Sequence, residues 1–351
     1  MAGERRDYLS WDQYFMSIVT LSSMYSYGSG SCLVDSDNHL LSIGGKDIPY
    51  TIKEEIPFDK RLDYLVSPIS NSLFTFKGNR SEFTKGTIYV SDFPTPEDAK
   101  NLAQARLSRM VYLTNSLSQV DEKISKKILN QANIATLPYF DESYSRENYE
   151  EFLLQFKEVI NKYLRRDITS CNPKDEYFMA IATLSALRSK DPSTQVGACL
   201  VDGDNRVISV GYNGTPYGMS DKNMPWSSLG EQTGDKLNIK DSYVVHAEVN
   251  TLDNYRGQQD DLEQMKLYVT FSPCINCIKR LSMQRLEKII WLRNYSNSDT
   301  LMNYNNWFGK SNINFSKYDD RDWTKPYYKE FFHETTKVIK RNLSKEKKII
   351  Y

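Results

Sequence analysis

The chain of 351 residues carries 45 Lys and Arg against 45 Asp and Glu, so its formal net charge is zero, a balance that argues against a dedicated nucleic-acid binder. No run approaches the ~18 apolar residues of a membrane-spanning helix, and residues 1–7 lack the apolar stretch of a secretory signal. Five cysteines without a pairing pattern point to a reducing compartment, cytosolic or nuclear.

The first predicted element is an amphipathic helix over residues 14–22, Tyr-Phe-Met-Ser-Ile-Val-Thr-Leu-Ser, apolar at helical spacing after an acidic start. Strands at 32–35 and 40–44 follow, joined as a hairpin by a turn at Asp37-Asn38. Both features recur. The helix returns at 177–185, and the hairpin at 199–202 and 207–211 around Asp204-Asn205. From Leu65 onward, adding 179 to a residue number gives its counterpart: Tyr89 maps to Tyr268, Pro94 to Pro273, Leu113 to Leu292, Tyr139 to Tyr318 and Phe152 to Phe331. The chain is thus a tandem repeat, each copy reading helix, hairpin, helix, strand, helix, strand, helix and terminal helix. The predicted domains are 1–164 and 174–351, with a linker at 165–173.

Chemistry separates the copies. In the second, residues 243–279 open with His246-Ala247-Glu248 and close with Pro273-Cys274-Ile275-Asn276-Cys277. Zinc is borderline-soft and accepts imidazole and thiolate. Three protein ligands, here His246, Cys274 and Cys277, leave its fourth tetrahedral position to water. Pro273 suits the first turn of a helix, which would set both cysteines on one face at the positive end of the macrodipole, where thiolate is favoured. Glu248 lies too close to His246 to be idle. Zinc lowers the pKa of its water to roughly 7, and a neighbouring carboxylate can carry that proton elsewhere. The competing reading is a closed structural site with Cys171, Cys199, His39 or His333 as fourth ligand, but such sites usually pair two clips of ligands. In the first copy Ser67, Ile69, Thr95 and Asp98 stand at the positions of His246, Glu248, Cys274 and Cys277. None of the four chemical groups survives there, so one zinc per chain is expected. Cys32 and Cys199, on equivalent predicted strands, read as small core residues.

Residues 174–315 resemble the deoxycytidylate (dCMP) deaminase branch of the cytidine-deaminase superfamily. The resemblance rests on Asp175-Glu176-Tyr177-Phe178-Met179, on residues 188–198 (Arg-Ser-Lys-Asp-Pro-Ser-Thr-Gln-Val-Gly-Ala), and on Gly211-Tyr212-Asn213-Gly214-Thr215-Pro216. It rests above all on His-x-Glu followed by Pro-Cys-x-x-Cys, the signature of zinc nucleobase deaminases. It implies an α/β fold of two tandem three-layer α/β/α domains, each with a five-stranded mixed sheet, the first degenerate and the second active. The implied reaction is hydrolytic deamination of a free deoxycytidine nucleotide, dCMP to dUMP or dCTP to dUTP, with zinc as cofactor. Glu248 would take a proton from the attacking water, protonate N3 and later protonate the amine leaving C4. Asn213 would bond the sugar, the backbone of Ala247 the base O2, and the backbone of Ser272 the departing amine, with Tyr295 packed on the base. Arg188 and Lys190 are candidate phosphate contacts, the alternative being solvated loop charges. Lys46, at the first-copy position of Asn213, is a candidate regulatory contact. Hexamers among related single-domain enzymes suggest a homo-oligomer, three tandem chains rebuilding that packing. The rival activity, a single-stranded nucleic-acid cytidine deaminase, needs a basic, aromatic groove. The concentrated basic run Lys337, Lys340, Arg341, Lys345, Lys347 and Lys348 reads instead as a solvated helix face.

Overall fold

Two five-stranded mixed sheets, one per copy, form the framework of the computed structural model. It describes residues 3–344 apart from 50–54, 141–143, 166–172, 228–236, 238, 258–263, 285, 295–312, 320 and 322. In the first copy α1 (Trp11–Met24), β1 (Gly30–Val34), β2 (Leu40–Gly45), α2 (Pro68–Thr75), β3 (Thr87–Asp92), α3 (Pro96–Ala105), β4 (Arg109–Thr114), α4 (Gln119–Gln131), β5 (Ala135–Pro138) and α5 (Arg146–Leu164) follow in order. The described elements of the second are α6 (Pro173–Ala186), β6 (Gly197–Val201), β7 (Val207–Tyr212), α7 (Ala247–Asp253), β8 (Lys266–Phe271), α8 (Ile275–Leu281), β9 (Lys288–Arg293), β10 (Asn314–Lys317) and α9 (Lys325–Leu343). The strand orders are β2-β1-β3-β4-β5 and β10-β9-β8-β6-β7, the same arrangement twice. The hairpin strand is antiparallel to the central strand, with Leu33 facing Ile88 and Leu200 facing Leu267. Beyond the central strand, pairing is parallel.

Alternation of side chains across each strand builds three layers. Leu33, Ile88 and Val90 join Ile69, Leu73, Ala99 and Leu102 in one apolar cluster, which seats α2 and α3. On the opposite face Tyr89 meets Phe15 of α1 with ring centroids 5.1 Å apart, and its hydroxyl donates to Asp12 at 2.8 Å. The second copy repeats both faces. Leu200, Leu267 and Val269 pack with Ala247 and Leu281, while Tyr268 meets Phe178 at 5.2 Å and donates to Asp175 at 2.5 Å. Cys32 and Cys199 sit fully buried on the tyrosine face, and burial raises both thiols above the ordinary value. The sequence pattern omits the fifth strand of each sheet. β5 is an edge strand with mostly exposed residues, so no apolar run marks it.

Each compact unit is completed by a segment from beyond the repeat boundary: Trp11–Tyr163 with Glu334–Tyr351, and Leu164–His333 with Met1–Ser10. Within the first unit the Tyr139 hydroxyl donates to the Leu343 carbonyl at 2.8 Å, and Asn342 Nδ2 to Gln155 Oε1 at 3.0 Å. Within the second the Tyr318 hydroxyl donates to the Leu164 carbonyl at 2.7 Å, and the backbone N–H of Arg5 and of Leu9 to the carbonyls of Lys190 and Leu187. Cutting the chain within residues 165–172 and separating the halves removes the fully buried Leu9 from the second unit. The isolated C-terminal half is expected to aggregate or to melt well below the intact chain, measured by size-exclusion chromatography and thermal denaturation. A soluble, fully active half would show that residues 1–10 contribute nothing. No helix among the described residues is long and apolar enough to cross a membrane.

The repeat is not uniform, and its irregularities lie where the second copy gains material. The offset between counterparts is 167 at Cys32 and Cys199 but 179 at Tyr89 and Tyr268. The difference lies between hairpin and α7, where residues 213–246 replace 46–67. A second lengthening lies ahead of β6, where residues 187–196 replace 25–29. Both longer loops end beside α7.

Candidate active site

A glycine sets the position of α7. A Cβ on Gly211 would lie 2.5 Å from the Thr251 backbone nitrogen and 2.8 Å from the Ala247 carbonyl, so only glycine lets the helix approach β7 this closely. Asn250 Nδ2, donating to the Tyr212 carbonyl at 2.6 Å, fastens the helix there. His246 is the residue before the helix proper, extended at φ −74° and ψ 152°, and Cys274 holds the same place before α8. Pro273 therefore precedes the α8 cap and is not in its first turn as the sequence suggested, leaving only Cys277 inside the helix.

The two helix starts bring the predicted trio together. His246 Nδ1 lies 3.5 Å from Cys274 Sγ and 3.3 Å from Cys277 Sγ, and the three ligand atoms fall within 4.8 Å of one another. Bonds of about 2.1 Å to nitrogen and 2.3 Å to sulfur at a tetrahedral angle would separate such atoms by roughly 3.6 Å, so the residues fit a zinc ion. Cys199, His39 and His333 do not belong to this group among the described residues, and Cys171 lies outside them. The hydrogen bond with Cys277 and the His246 imidazole hold Cys274 well below the usual thiol range, while the same pairing and burial push Cys277 up. A dication held by these residues would favour thiolate at both cysteines. His246 is raised by its bond to Cys274 and by the nearby Glu248 charge. Glu248, 3% exposed, is pushed above the ordinary carboxylate range by burial.

His246 and Cys274 of the trio open onto a solvent-connected cleft. Its walls include Asn213, Glu248, Ala247, Ser272, Phe271 and a buried ion pair, Lys240 and Asp191. The Asn213 side chain is fixed on three sides: Oδ1 accepts from the Val196 N–H at 2.8 Å, and Nδ2 donates to the Thr194 carbonyl at 2.9 Å and to Asp191 at 3.3 Å. The Ser272 N–H is held by the Arg293 carbonyl at 2.8 Å. Ala247, first in α7, has an N–H outside the intrahelical ladder. The two candidate phosphate cations do not line this cleft. Arg188 is buried, donates to the Leu9 carbonyl and lies against the Tyr8 and Tyr212 rings. Lys190 pairs with Asp221 at 2.7 Å and Glu4 at 3.6 Å. Tyr295 lies outside the described residues.

In the first copy a hydrogen-bonded cluster occupies the equivalent position. The Ser67 hydroxyl donates to Asp98 Oδ1, the Thr95 hydroxyl to Oδ2 at 2.9 Å, and the Ser70 hydroxyl to Oδ1 at 3.3 Å, with Ile69 buried beside them. These hydroxyls tie together the starts of α2 and α3, as the trio does for α7 and α8. Lys46 is half-buried, its backbone paired with Ser29 and Tyr27. A second group of carboxylates with an imidazole, Asp35, Asp37 and His39, is a turn: Asp35 accepts the N–H of both Asp37 and His39 at 2.8 Å, as Asp202 accepts that of Arg206.

Sequence reasoning gave no role to Lys240 or Phe271, and used Asp191 only as part of a motif. The available signal was the step in repeat offset, because Asp191, Asn213 and Lys240 all lie in the loops that the first copy has shorter.

Comparison with known proteins follows the same division of the chain. Residues 172–293 match the cytidine and deoxycytidylate deaminase zinc-binding region. Over 120 residues the chain is 47% identical to the probable deoxycytidylate deaminase of Drosophila melanogaster, covering 34% of this chain and 58% of that protein. Over 156 residues it is 38% identical to the deoxycytidylate deaminase of Homo sapiens, covering 42% of this chain and 85% of that protein. A solved dCMP deaminase from the cyanophage S-TIM5, in complex with dCMP and dUMP, aligns with 42% of this chain and 99% of its own at 23% identity and a TM-score of 0.35.

Proposed function

This chain belongs to the cytidine and deoxycytidylate deaminase family, and from that premise we propose that its second copy hydrolytically deaminates a free deoxycytidine nucleotide, dCMP or dCTP. The observation that carries the proposal is the meeting of His246, Cys274 and Cys277 with the buried Glu248 at the wall of one cleft. When bound to the trio, zinc would supply an acidified water and a Lewis acid. Glu248, made more basic by burial, takes a proton from the attacking water and passes it to N3. It then takes the remaining proton of the hydroxyl added at C4 and delivers it to the exocyclic nitrogen, which leaves as ammonia while C4 becomes a carbonyl. The Ala247 N–H donates to O2, and the Ser272 carbonyl accepts from the amine. Both amide protons of Asn213 are engaged, so its remaining capacity is a lone pair on Oδ1, suited to a sugar hydroxyl.

One zinc per chain goes with this reading, and the first copy, where Asp98 binds the hydroxyls of Ser67, Ser70 and Thr95, has a structural or regulatory role. The chains form a homo-oligomer, three tandem chains presenting six domains, and work in the cytoplasm or nucleus. The test is ammonia release from dCMP, dCTP, deoxycytidine and single-stranded DNA side by side. Turnover of a free nucleotide and none of the strand is expected. Tight strand binding that falls steeply with salt, as counterion release dictates, with no turnover of dCMP or dCTP, would overturn the proposal.

A further inference from the structure

Lys240 is a cation in an unusual position. Its side chain is 8% exposed, it lines the cleft, and Nζ donates to Asp191 Oδ2 at 2.6 Å, with Asp241 Oδ1 at 4.0 Å. Among the described residues these are its side-chain partners, so an ammonium with three donors has bonded one of them at hydrogen-bond distance. Asp191, in turn, is stabilised by far more than the lysine. Its Oδ1 accepts from the Ser193 N–H at 2.8 Å, the Ser193 hydroxyl at 2.9 Å and the Thr194 N–H at 3.1 Å, and its Oδ2 also accepts from Asn213. A carboxylate with four other donors does not need the ammonium for its own solvation. It serves to hold the ammonium in the wall.

The geometry points to Lys240 as a specificity-determining residue that binds the 5′-phosphate of the substrate and so separates nucleotide from nucleoside; this rests on the deaminase reading of the site. Two further observations favour a phosphate over a hydroxyl as its partner. The Asn213 oxygen already presents an acceptor to sugar hydroxyls from the same wall, and the sequence-predicted phosphate cations, Arg188 and Lys190, are engaged elsewhere. Electrostatics permit it. A phosphate oxygen about 2.8 Å from Nζ, on the side away from Asp191, stands roughly 5 Å from that carboxylate, so attraction to the ammonium exceeds the repulsion about twofold. Asp241 also lines the cleft and opposes the phosphate, but its side chain is 47% exposed and screened by water.

The test is Lys240→Gln, which keeps a donor for Asp191 and removes the charge. The ratio of kcat/KM for dCMP to kcat/KM for deoxycytidine should fall by roughly 30-fold or more, the scale of one charge-assisted hydrogen bond. An unchanged ratio, including equal losses on both substrates, would overturn the inference. Product binding provides the same reading where turnover is too slow. The dUMP-induced rise in melting temperature should exceed that of deoxyuridine in the wild-type chain, and the excess should vanish in the variant; an excess that survives contradicts the role. A wild-type chain that turns over neither substrate yet shows the excess would sink the deaminase reading alone.

Discussion

Replacing Glu248 with glutamine is expected to lower dCMP deamination by about 10³-fold or more while leaving zinc in place. General acid–base catalysis by one positioned group contributes roughly 10²–10⁴-fold, and here a single carboxylate handles the proton both at the attacking water and at the departing nitrogen. Zinc stays because Glu248 is not one of the grouped ligand atoms, which come from His246, Cys274 and Cys277. Burial strengthens the argument. A carboxylate raised by desolvation is a better base than an exposed one, and glutamine fills the same volume without any proton affinity in the working range. Elemental analysis alongside kinetics checks both halves. A variant that loses its metal would make Glu248 a ligand, and the roles assigned above would be wrong.

The second large effect belongs to the thiolates. Cys274→Ala or Cys277→Ala should take the zinc content from one per chain to none and abolish turnover together. Each substitution leaves one imidazole and one thiolate at the starts of α7 and α8, too few to close a tetrahedral site. The first copy cannot compensate. Its counterpart atoms are hydroxyls and one carboxylate, already hydrogen-bonded to one another, with Ile69 where a proton carrier would be needed. Two zincs in the wild-type chain, or one remaining in either variant, would contradict this division between the copies.

How much of this was legible beforehand depended on what kind of signal each feature leaves. The repeat, the hairpins and the two faces of each sheet were readable because burial imposes periodicity, as at Leu33 and Cys32 on opposite faces of β1. The trio was readable because ligand chemistry restricts residue type and order. β5 escaped because an exposed edge strand needs no apolar run. Arg188 was taken as a candidate phosphate ligand because sequence cannot show that a guanidinium will be buried on a backbone carbonyl and two tyrosine rings. Lys240 and Asp191 were invisible as a pair. They lie 49 residues apart, and only the folding of two loops brings them within 2.6 Å. The step in repeat offset marked those loops as additions peculiar to the second copy, without saying which side chains they would carry into the cleft.

The central claim is hydrolysis at C4 of a free nucleotide, and incubation of the zinc-loaded full chain with dCMP and dCTP in ¹⁸O-labelled water tests it most directly. Mass spectrometry should find a uracil nucleotide carrying one labelled oxygen on the base, with one ammonia released per nucleotide consumed. Absence of any uracil nucleotide from a chain shown to hold one zinc would contradict the account.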